Sequence, residues 1–508
     1  MRHRLATGAA IVAALAVVAG CATPSTEPTV DSIRIGVTPD RLSGVYSALN
    51  LSALGLDTIA MYQTLFTASP EVAYEFEPNA ATAYELSDDW KTITITLRDD
   101  IVFTDGEPLT APGLKAYFDE LATSEDWGAK ANWDAGEITL EAPDDTTLII
   151  SSSRPINPRT PSFGLDFIAL MPFASPRALD DLEATEDAPA GSGPYVLESV
   201  TPGVEATLVK NEDYWNADAI PFEEMTILVF QDQVAGLNAL KAGQIDTTGS
   251  NAPLAVEAEA AGFRVDEGAG NTAYLYIADR EGTLQPAFAD VRVRQAMAYA
   301  FDREAINESL NLGFGEVTSQ PFLPGKPEYG DGGDDPYAYD PDHARELMAE
   351  AGYADGFDLV IPGGTFQGNN VWAPVVQQYL GDIGIRVTFD EFPDGSAFFT
   401  AMLSGEYPVL LYGMNRVSAL PFFVAPGWLF DIFKIENPFI SESWDSMMNG
   451  PDEATEPAAR ELGQYVLDEV FLVPFATPSS IWVSAPGYSV NMSTWGSYVA
   501  PTDFEVAE

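Results

Sequence analysis

One cysteine, Cys21, stands in the whole chain, and it follows Val18-Ala19-Gly20 at the end of an apolar run that starts behind Arg2 and Arg4. A basic start, a short apolar stretch and small residues before a cut form the layout of a secretory leader. The run from Leu5 to Gly20 is shorter than the roughly 20 residues a helix needs to cross a bilayer. Cys21 has no second thiol to pair with. The exported part must therefore be held together by a buried core and not by disulfides. A length of 508 residues suggests two or three domains, and a hydrophobic content of 46% suffices for a large core.

A cysteine directly after Ala19-Gly20 resembles a lipobox, whose cysteine is lipidated and becomes the new N-terminus. A plain signal peptide with an incidental cysteine is the alternative. Ala22 to Thr29, rich in Thr, Pro and Ser, suits a flexible spacer. Residues 1–20 are read as the leader and 21–30 as the tether. The remainder is expected outside the cytoplasm, anchored to the cell membrane through lipid on Cys21.

Acidic residues number 77 against 24 basic ones, a formal charge of −53. Such a surface repels phosphate backbones and anionic head groups, so no nucleic-acid partner is expected. Solubility, in a salty habitat for instance, is a sufficient reading of the acidity. Histidine occurs twice, and His3 leaves with the leader. His343 alone cannot support chemistry that needs His with Ser, Cys or a second His.

Periodicity marks an α/β chain. Ile33 to Val37, Lys91 to Arg98, Leu148 to Ser151 and Ala206 to Val209 read as strands; in the second, Ile93, Ile95 and Leu97 alternate with threonines. Asp290 caps a helix carrying Val293, Ala296, Met297, Ala300 and Phe301 at three- and four-residue steps. Asp340-Pro341 opens another, with Ala344, Leu347, Met348 and Ala351, which Gly352 stops. A third carries Trp372, Val375, Val376, Tyr379, Leu380 and Ile383 up to Gly384, and a strand with Ile385, Val387 and Phe389 on one face follows at once.

Motifs for chemistry are weak. Gly268-Ala269-Gly270-Asn271-Thr272-Ala273 faintly matches a dinucleotide fingerprint, but a strand and not a helix follows it, so no cofactor is expected. Asp331, Asp334, Asp335, Asp340 and Asp342 lack the spacing of a calcium loop and read as a solvated loop. No metal site is expected. Paired carboxylates for glycosidase chemistry have nothing to select them.

Several segments together resemble one family. They are Glu77-Pro78-Asn79-Ala80-Ala81 through Leu86-Ser87-Asp88-Asp89-Trp90 to Leu97-Arg98-Asp99-Asp100, and Phe103-Thr104-Asp105-Gly106-Glu107-Pro108-Leu109-Thr110-Ala111. Next come Gly191-Ser192-Gly193-Pro194-Tyr195 and Asn211-Glu212-Asp213-Tyr214-Trp215. Asp290 to Ala296 with Ala300-Phe301-Asp302-Arg303 follows, then Ala344 to Tyr353, Gly384 to Val387 and Val473-Pro474-Phe475. In this order they are similar to the extracytoplasmic solute-binding proteins of ABC importers, the dipeptide, oligopeptide and nickel-binding group.

The resemblance implies a mixed α/β, bilobed periplasmic-binding-protein fold with an extra small domain inserted in the first lobe. On that reading 31–66 with 186–271 and 476–508 form lobe I, 67–185 the inserted domain and 272–475 lobe II. It implies no catalysis, a small-molecule ligand with peptide as the leading class, a monomer, and a membrane permease with ATPases as partners. An exported hydrolase of peptide or sugar, and a scaffold or sensor on the same fold, are the rival readings. Peptide-binding members carry a carboxylate for the peptide ammonium after a Gly-Trp-like strand end. Here that stretch reads Leu410 to Pro421 and holds Arg416 instead, which suits a carboxylate or phosphate; a surface arginine, with the anchor elsewhere, is the alternative. The candidate ligand residues are Tyr46 after the first strand, Phe366, Gln367, Asn369, Asn370 and Trp372 at a strand-to-helix loop, Asn415, Arg416, and an aromatic wall of Phe422 and Trp428. Core packing is the alternative for each aromatic.

Overall fold

The computed structural model describes residues 31–507, save 43–45, 47–50, 52–54, 70–75, 126, 128, 157–168, 180–188, 331, 365–368, 393–394, 428–429, 450–451 and 495–498. Cys21, the leader and the tether lie outside them. The chain builds a mixed α/β structure on several sheets.

The largest sheet has seven strands. Ser32–Val37 lies near its middle, parallel to Glu224–Val229 on one side and to Thr247–Ser250 on the other. Antiparallel Glu205–Lys210 and Tyr195–Thr201 extend one flank, and Ser480–Ser484 and Arg264–Gly268 the other. Ile33 and Ile35 are fully buried on alternate positions of the central strand, the pattern of a strand with one face on a core.

A four-stranded sheet orders Ala81–Leu86, Thr92–Leu97, Thr147–Ser151 and Thr139–Glu141. Its buried face, Ile93, Ile95, Leu97, Leu148 and Ile150, joins one continuous core with Ile33 and Ile35 of the large sheet. The helix Ala111–Leu121 covers it. The Thr110 hydroxyl caps that helix by accepting from the Gly113 N–H at 3.2 Å, one of the donors a helix start leaves unpaired. Where this small sheet meets the large one, the Gln63 amide meets Asn79, Ser192 and Trp215. The Arg98 guanidinium lies 4.0 Å over the Trp215 ring. Gly191 and Gly193 let the chain pass where a Cβ would come 1.9 Å from the Met61 carbonyl and 2.5 Å from that of Ala60.

A third sheet orders Gly315–Glu316, Leu472–Pro478, Thr272–Ile277 and Val409–Met414. Thr272–Ile277 is buried on both faces. Leu275 and Ile277 meet the helices Val291–Tyr299, Pro341–Glu350 and Asn369–Asp382, while Tyr274 and Tyr276 meet an aromatic layer with Phe423 and Phe430. Among the described residues, the apolar stretch 417–433 is thus largely core. Phe357–Gly363 and Ile385–Glu391 form a parallel pair beside these helices.

Periodicity carries one helix on through Ala300 and Phe301, but it stops at Tyr299, because the Asp302 carboxylate accepts from Ala305 N–H at 2.9 Å and caps a new helix, Arg303–Leu310. Both skipped residues stay buried. Gly352 and Gly384 end their helices at φ of +90° and +91°, a region open to glycine at little cost. Gly381, inside Asn369–Asp382, has open space where a Cβ would stand. Gly381→Ala is therefore expected to stabilise the fold by about 0.5–1 kcal/mol, read as a higher urea midpoint.

Candidate functional site

Two strands of the large sheet run straight into two strands of the third sheet. Arg264–Gly268 passes through Ala269-Gly270-Asn271 into Thr272–Ile277, and Leu472–Pro478 passes through Ser479 into Ser480–Ser484. The crossings touch: a Cβ on Gly270 would lie 2.1 Å from the Pro478 carbonyl oxygen. Side chains tie them on both sides. Thr272 and Thr477 share a hydroxyl hydrogen bond of 3.1 Å, and the Ser479 hydroxyl donates to the Glu267 carboxylate at 2.6 Å. The segment with a weak dinucleotide likeness is therefore a strand crossing.

This register fixes which sheet ends face each other. Ser250, the last residue of a parallel strand, pairs with Ile481, just beyond a crossing. The carboxyl ends of the parallel strands in the large sheet therefore open beside the crossings, where open α/β sheets take ligands. A small open hollow of about 50 Å³ lies there, lined by Thr38, Arg41, Phe230, Gln233, Gly249 and Trp482 among others. In the third sheet Met414 pairs with Thr272, so Asn415 and Arg416 also emerge beside a crossing.

Asn415 uses its side-chain oxygen to cap a short turn, accepting from the Ser418 N–H at 3.0 Å. The Arg416 side chain is only 4% exposed, and its guanidinium is paired with Glu316, whose side chain is 53% exposed. A second donor of Arg416 reaches the Phe322 carbonyl at 3.4 Å. Tyr274 lies beneath and donates to the Pro321 carbonyl at 2.9 Å; burial pushes its hydroxyl above the usual phenol range, against the pull of the Arg416 charge. Arg416 is neither a surface residue nor an empty anion cradle.

The other expected residues are scattered. Tyr46 is fully buried beside Asp57, and burial holds its hydroxyl far above its ordinary value. Trp372 packs edge-on to Phe475 at 5.9 Å. Phe422 is half-buried 6.1 Å from Phe430. Asn369 and Asn370 begin a helix, with Asn370 exposed. Phe366, Gln367 and Trp428 lie outside the described residues. His343 is a half-buried ring packed edge-on to Tyr299 at 5.0 Å, and Asp340 caps the helix it stands on. Among the described residues no group of three or more His, Cys, Asp or Glu is arranged to hold a metal ion.

Sequence reasoning missed Thr38, Phe230 and Trp482, and above all Glu316. Thr38 was within reach, because it follows the first parallel strand directly. Nothing in the sequence ties Glu316 to an arginine a hundred residues away.

A family model described as "Bacterial extracellular solute-binding proteins, family 5 Middle" matches residues 75–431. By sequence, heme-binding protein A of Haemophilus influenzae is 29% identical over 325 residues, 56% of this chain and 55% of that protein. The glutathione-binding protein GsiB of Salmonella paratyphi A is 26% identical over 380 residues, 73% of this chain and 69% of that protein. The chain thus spans little more than half the length of the first of these. Among solved structures, the ABC transporter-associated periplasmic binding protein DppA from Helicobacter pylori, in complex with the peptide STSA, has a TM-score of 0.73 at 20% identity, covering 94% of this chain and 98% of that one. That likeness is one of fold. With 75–431 making up most of the chain, this protein belongs to family 5 of the bacterial extracellular solute-binding proteins, a family of binders and not of enzymes.

Proposed function

We propose that the chain captures a small solute, a peptide first of all, for an importer of the ABC class, and hands it to a membrane permease served by ATPases. The division that fits this role takes 31–66, 186–271 and 476–508 as one lobe, 67–185 as its inserted domain and 272–475 as the other lobe. One observation carries the reading: two touching strand crossings join the sheet ends that bear the Thr38–Trp482 hollow and the Asn415–Arg416 turn. Two lobes joined by short crossings open and close as a hinge. A ligand held between them favours the closed form, and closure is the signal a permease can read. Lipid on Cys21 keeps the monomeric receptor near that permease. Peptide is favoured because glutathione and the peptide STSA are the solutes named for two of the similar proteins.

The test is a thermal-shift series on the chain with Cys21→Ala, against di- to octapeptides, amino acids, sugars, opine-like acids, heme and nickel chelates. A ligand at 100 times its dissociation constant is expected to add about 2.7 kcal/mol, with a smaller radius of gyration in solution scattering. Stabilisation by heme or a chelate alone would overturn the peptide class and leave capture standing. Turnover of a peptide or sugar would overturn capture itself.

A further inference from the structure

We infer that the C-terminal strap, Tyr488–Ser493 with Ala500–Val506, is a brace on the hollow of the large sheet that loosens when Asp503 ionises, which makes Asp503 a positioning residue for Trp482 and for the adjoining crossing. The effect on a ligand rests on the proposed capture of peptides; the tie between the strap and its own proton does not.

The strap leaves the large sheet and folds back on it. Tyr488–Val490 pairs antiparallel with Phe504–Val506. The Ala507 N–H closes this pair on the Gly487 carbonyl at 3.0 Å, and the Asn491 N–H donates to the Asp503 carbonyl at 2.7 Å. Three contacts carry the strap to the site. The fully buried Phe504 ring stands edge-on to Trp482 at 5.3 Å, and Trp482 lines the hollow. The Ser493 carbonyl accepts from the Ala269 N–H at 3.0 Å, and a Cβ on Gly268 would come 2.6 Å from the Met492 Cβ. Gly268 and Ala269 lead directly into Gly270 and its crossing. The Asp266 carboxylate adds the third tie, accepting from the Val490 N–H at 2.9 Å. A shift of the strap therefore moves a wall of the hollow and one side of a crossing together.

Asp503 is the joint of the strap. With Ala500 it closes a tight turn from both directions: the Ala500 N–H donates to the Asp503 carboxylate at 2.6 Å, and the Asp503 N–H to the Ala500 carbonyl at 3.0 Å. Phe504 follows at once. The surroundings disfavour a negative charge. The helix Leu56–Met61 packs against the turn and brings one acid, the buried Asp57. Glu505 is the neighbouring acid on the strap. The strand Arg264–Gly268 brings Arg264, Asp266 and Glu267, with Arg264 engaged by Asp266 and Glu267 by Ser479. Neither the strap nor the helix contains Lys, Arg or His, and Ser480–Ser484 has no charged residue. Burial raises the Asp503 carboxyl from its ordinary 3.8 to about 6, while the Ala500 N–H pulls it down and Glu505 pushes it further up. An acid raised in this way binds its proton more tightly in the closed strap than in the open one. The stabilisation is therefore fully present below about pH 4 and is lost as the pH rises through about 6.

The test is hydrogen exchange read by mass spectrometry on the chain with Cys21→Ala, at about pH 5 and about pH 7.5, with rates corrected for the intrinsic pH dependence of exchange. Peptides from the strap are expected to open about tenfold more readily at the higher pH, the ratio that follows when a carboxyl at about 6 returns to 3.8 on release. Peptides from the strand Thr92–Leu97 should not change. Asp503→Asn, uncharged and with an acceptor oxygen retained, is expected to abolish the difference. Glu505→Gln serves if that variant melts early, and should move the midpoint of opening to lower pH. Equal opening of the wild-type strap at the two pH values overturns the brace. So does a difference that survives Asp503→Asn, or a midpoint that Glu505→Gln leaves in place. Calorimetric titration of trialanine reads the effect on the hollow. The wild type is expected to bind it about threefold more weakly at the higher pH, within the roughly tenfold that the opening allows, and Asp503→Asn alike at both. Equal affinity in the wild type, with the strap still opening, overturns the coupling to Trp482. Failure of trialanine to bind at either pH overturns the peptide reading, and the exchange result still decides the strap.

Discussion

Arg303→Met is expected to destabilise the region around the third sheet by about 3–5 kcal/mol, enough to remove most of the stability of an ordinary domain. Arg303 opens a helix and is 5% exposed. Its guanidinium donates from Nε to the Pro474 carbonyl at 2.8 Å, from Nη1 to Phe301 at 3.2 Å and Tyr337 at 3.0 Å, and from Nη2 to Ala298 at 2.9 Å. All four acceptors are neutral carbonyls from three separate stretches of chain. Burial brings the guanidinium down to about 10, with Asp335 pulling the other way. Methionine keeps the length of the side chain and relieves the buried charge, but it removes four hydrogen bonds to carbonyls at about 1 kcal/mol each. Lysine is expected to recover less than half of the loss, because one ammonium cannot reproduce the planar fork that reaches four acceptors. Urea unfolding followed by tryptophan fluorescence reads the result. A midpoint within 0.3 M of wild type for the methionine variant would show that backbone contacts alone hold this junction.

That residue also shows what is legible in such a chain. Ala300-Phe301-Asp302-Arg303 contributes to the resemblance from which the family is read, and here it is a structural joint: Phe301 and Arg303 buried, Asp302 a helix cap. The same holds for Asn79, Gly191, Ser192, Gly193 and Trp215, which pack the seam between the small sheet and the large one. Strands such as Thr92–Leu97 are readable because one face is buried and the other is not. A strand buried on both faces, Thr272–Ile277, is recognisable only by its run of apolar and β-branched residues. The site is less legible for a geometric reason. The hollow's lining comes from near residues 38, 230, 249 and 482, and only the pairing of strands brings these together. Phe422, chosen for a pocket wall, packs against the layer of Tyr274 and Tyr276, and a large ring covers a sheet as well as it lines a cleft.

Gly270→Val carries the second large effect, and it separates hinge from packing. At Gly270 one crossing lies against the other, and an added Cβ would come 2.1 Å from the Pro478 carbonyl and 3.0 Å from the backbone of Ser479 and Ser480. These contacts are with backbone, so no side chain can turn aside. The two crossings must part by about 1 Å, and overpacking of this kind costs about 2–4 kcal/mol. The Thr272–Thr477 and Ser479–Glu267 hydrogen bonds flank the contact and would stretch with it. A splayed joint also changes the angle at which the hollow meets Glu316 and Arg416, so a ligand touching both sides loses one of them. The expected result is a lower melting temperature together with at least a tenfold loss of trialanine affinity and no ligand-driven compaction in scattering. Gly249→Ala is the control: its Cβ would meet nothing nearer than 4.0 Å, at Trp482, so it should fold normally and change affinity only through the shape of the hollow. If Gly270→Val lowers stability but binds and compacts as wild type does, the crossings are a fixed strut, and the motion that closes the cleft lies elsewhere in the chain.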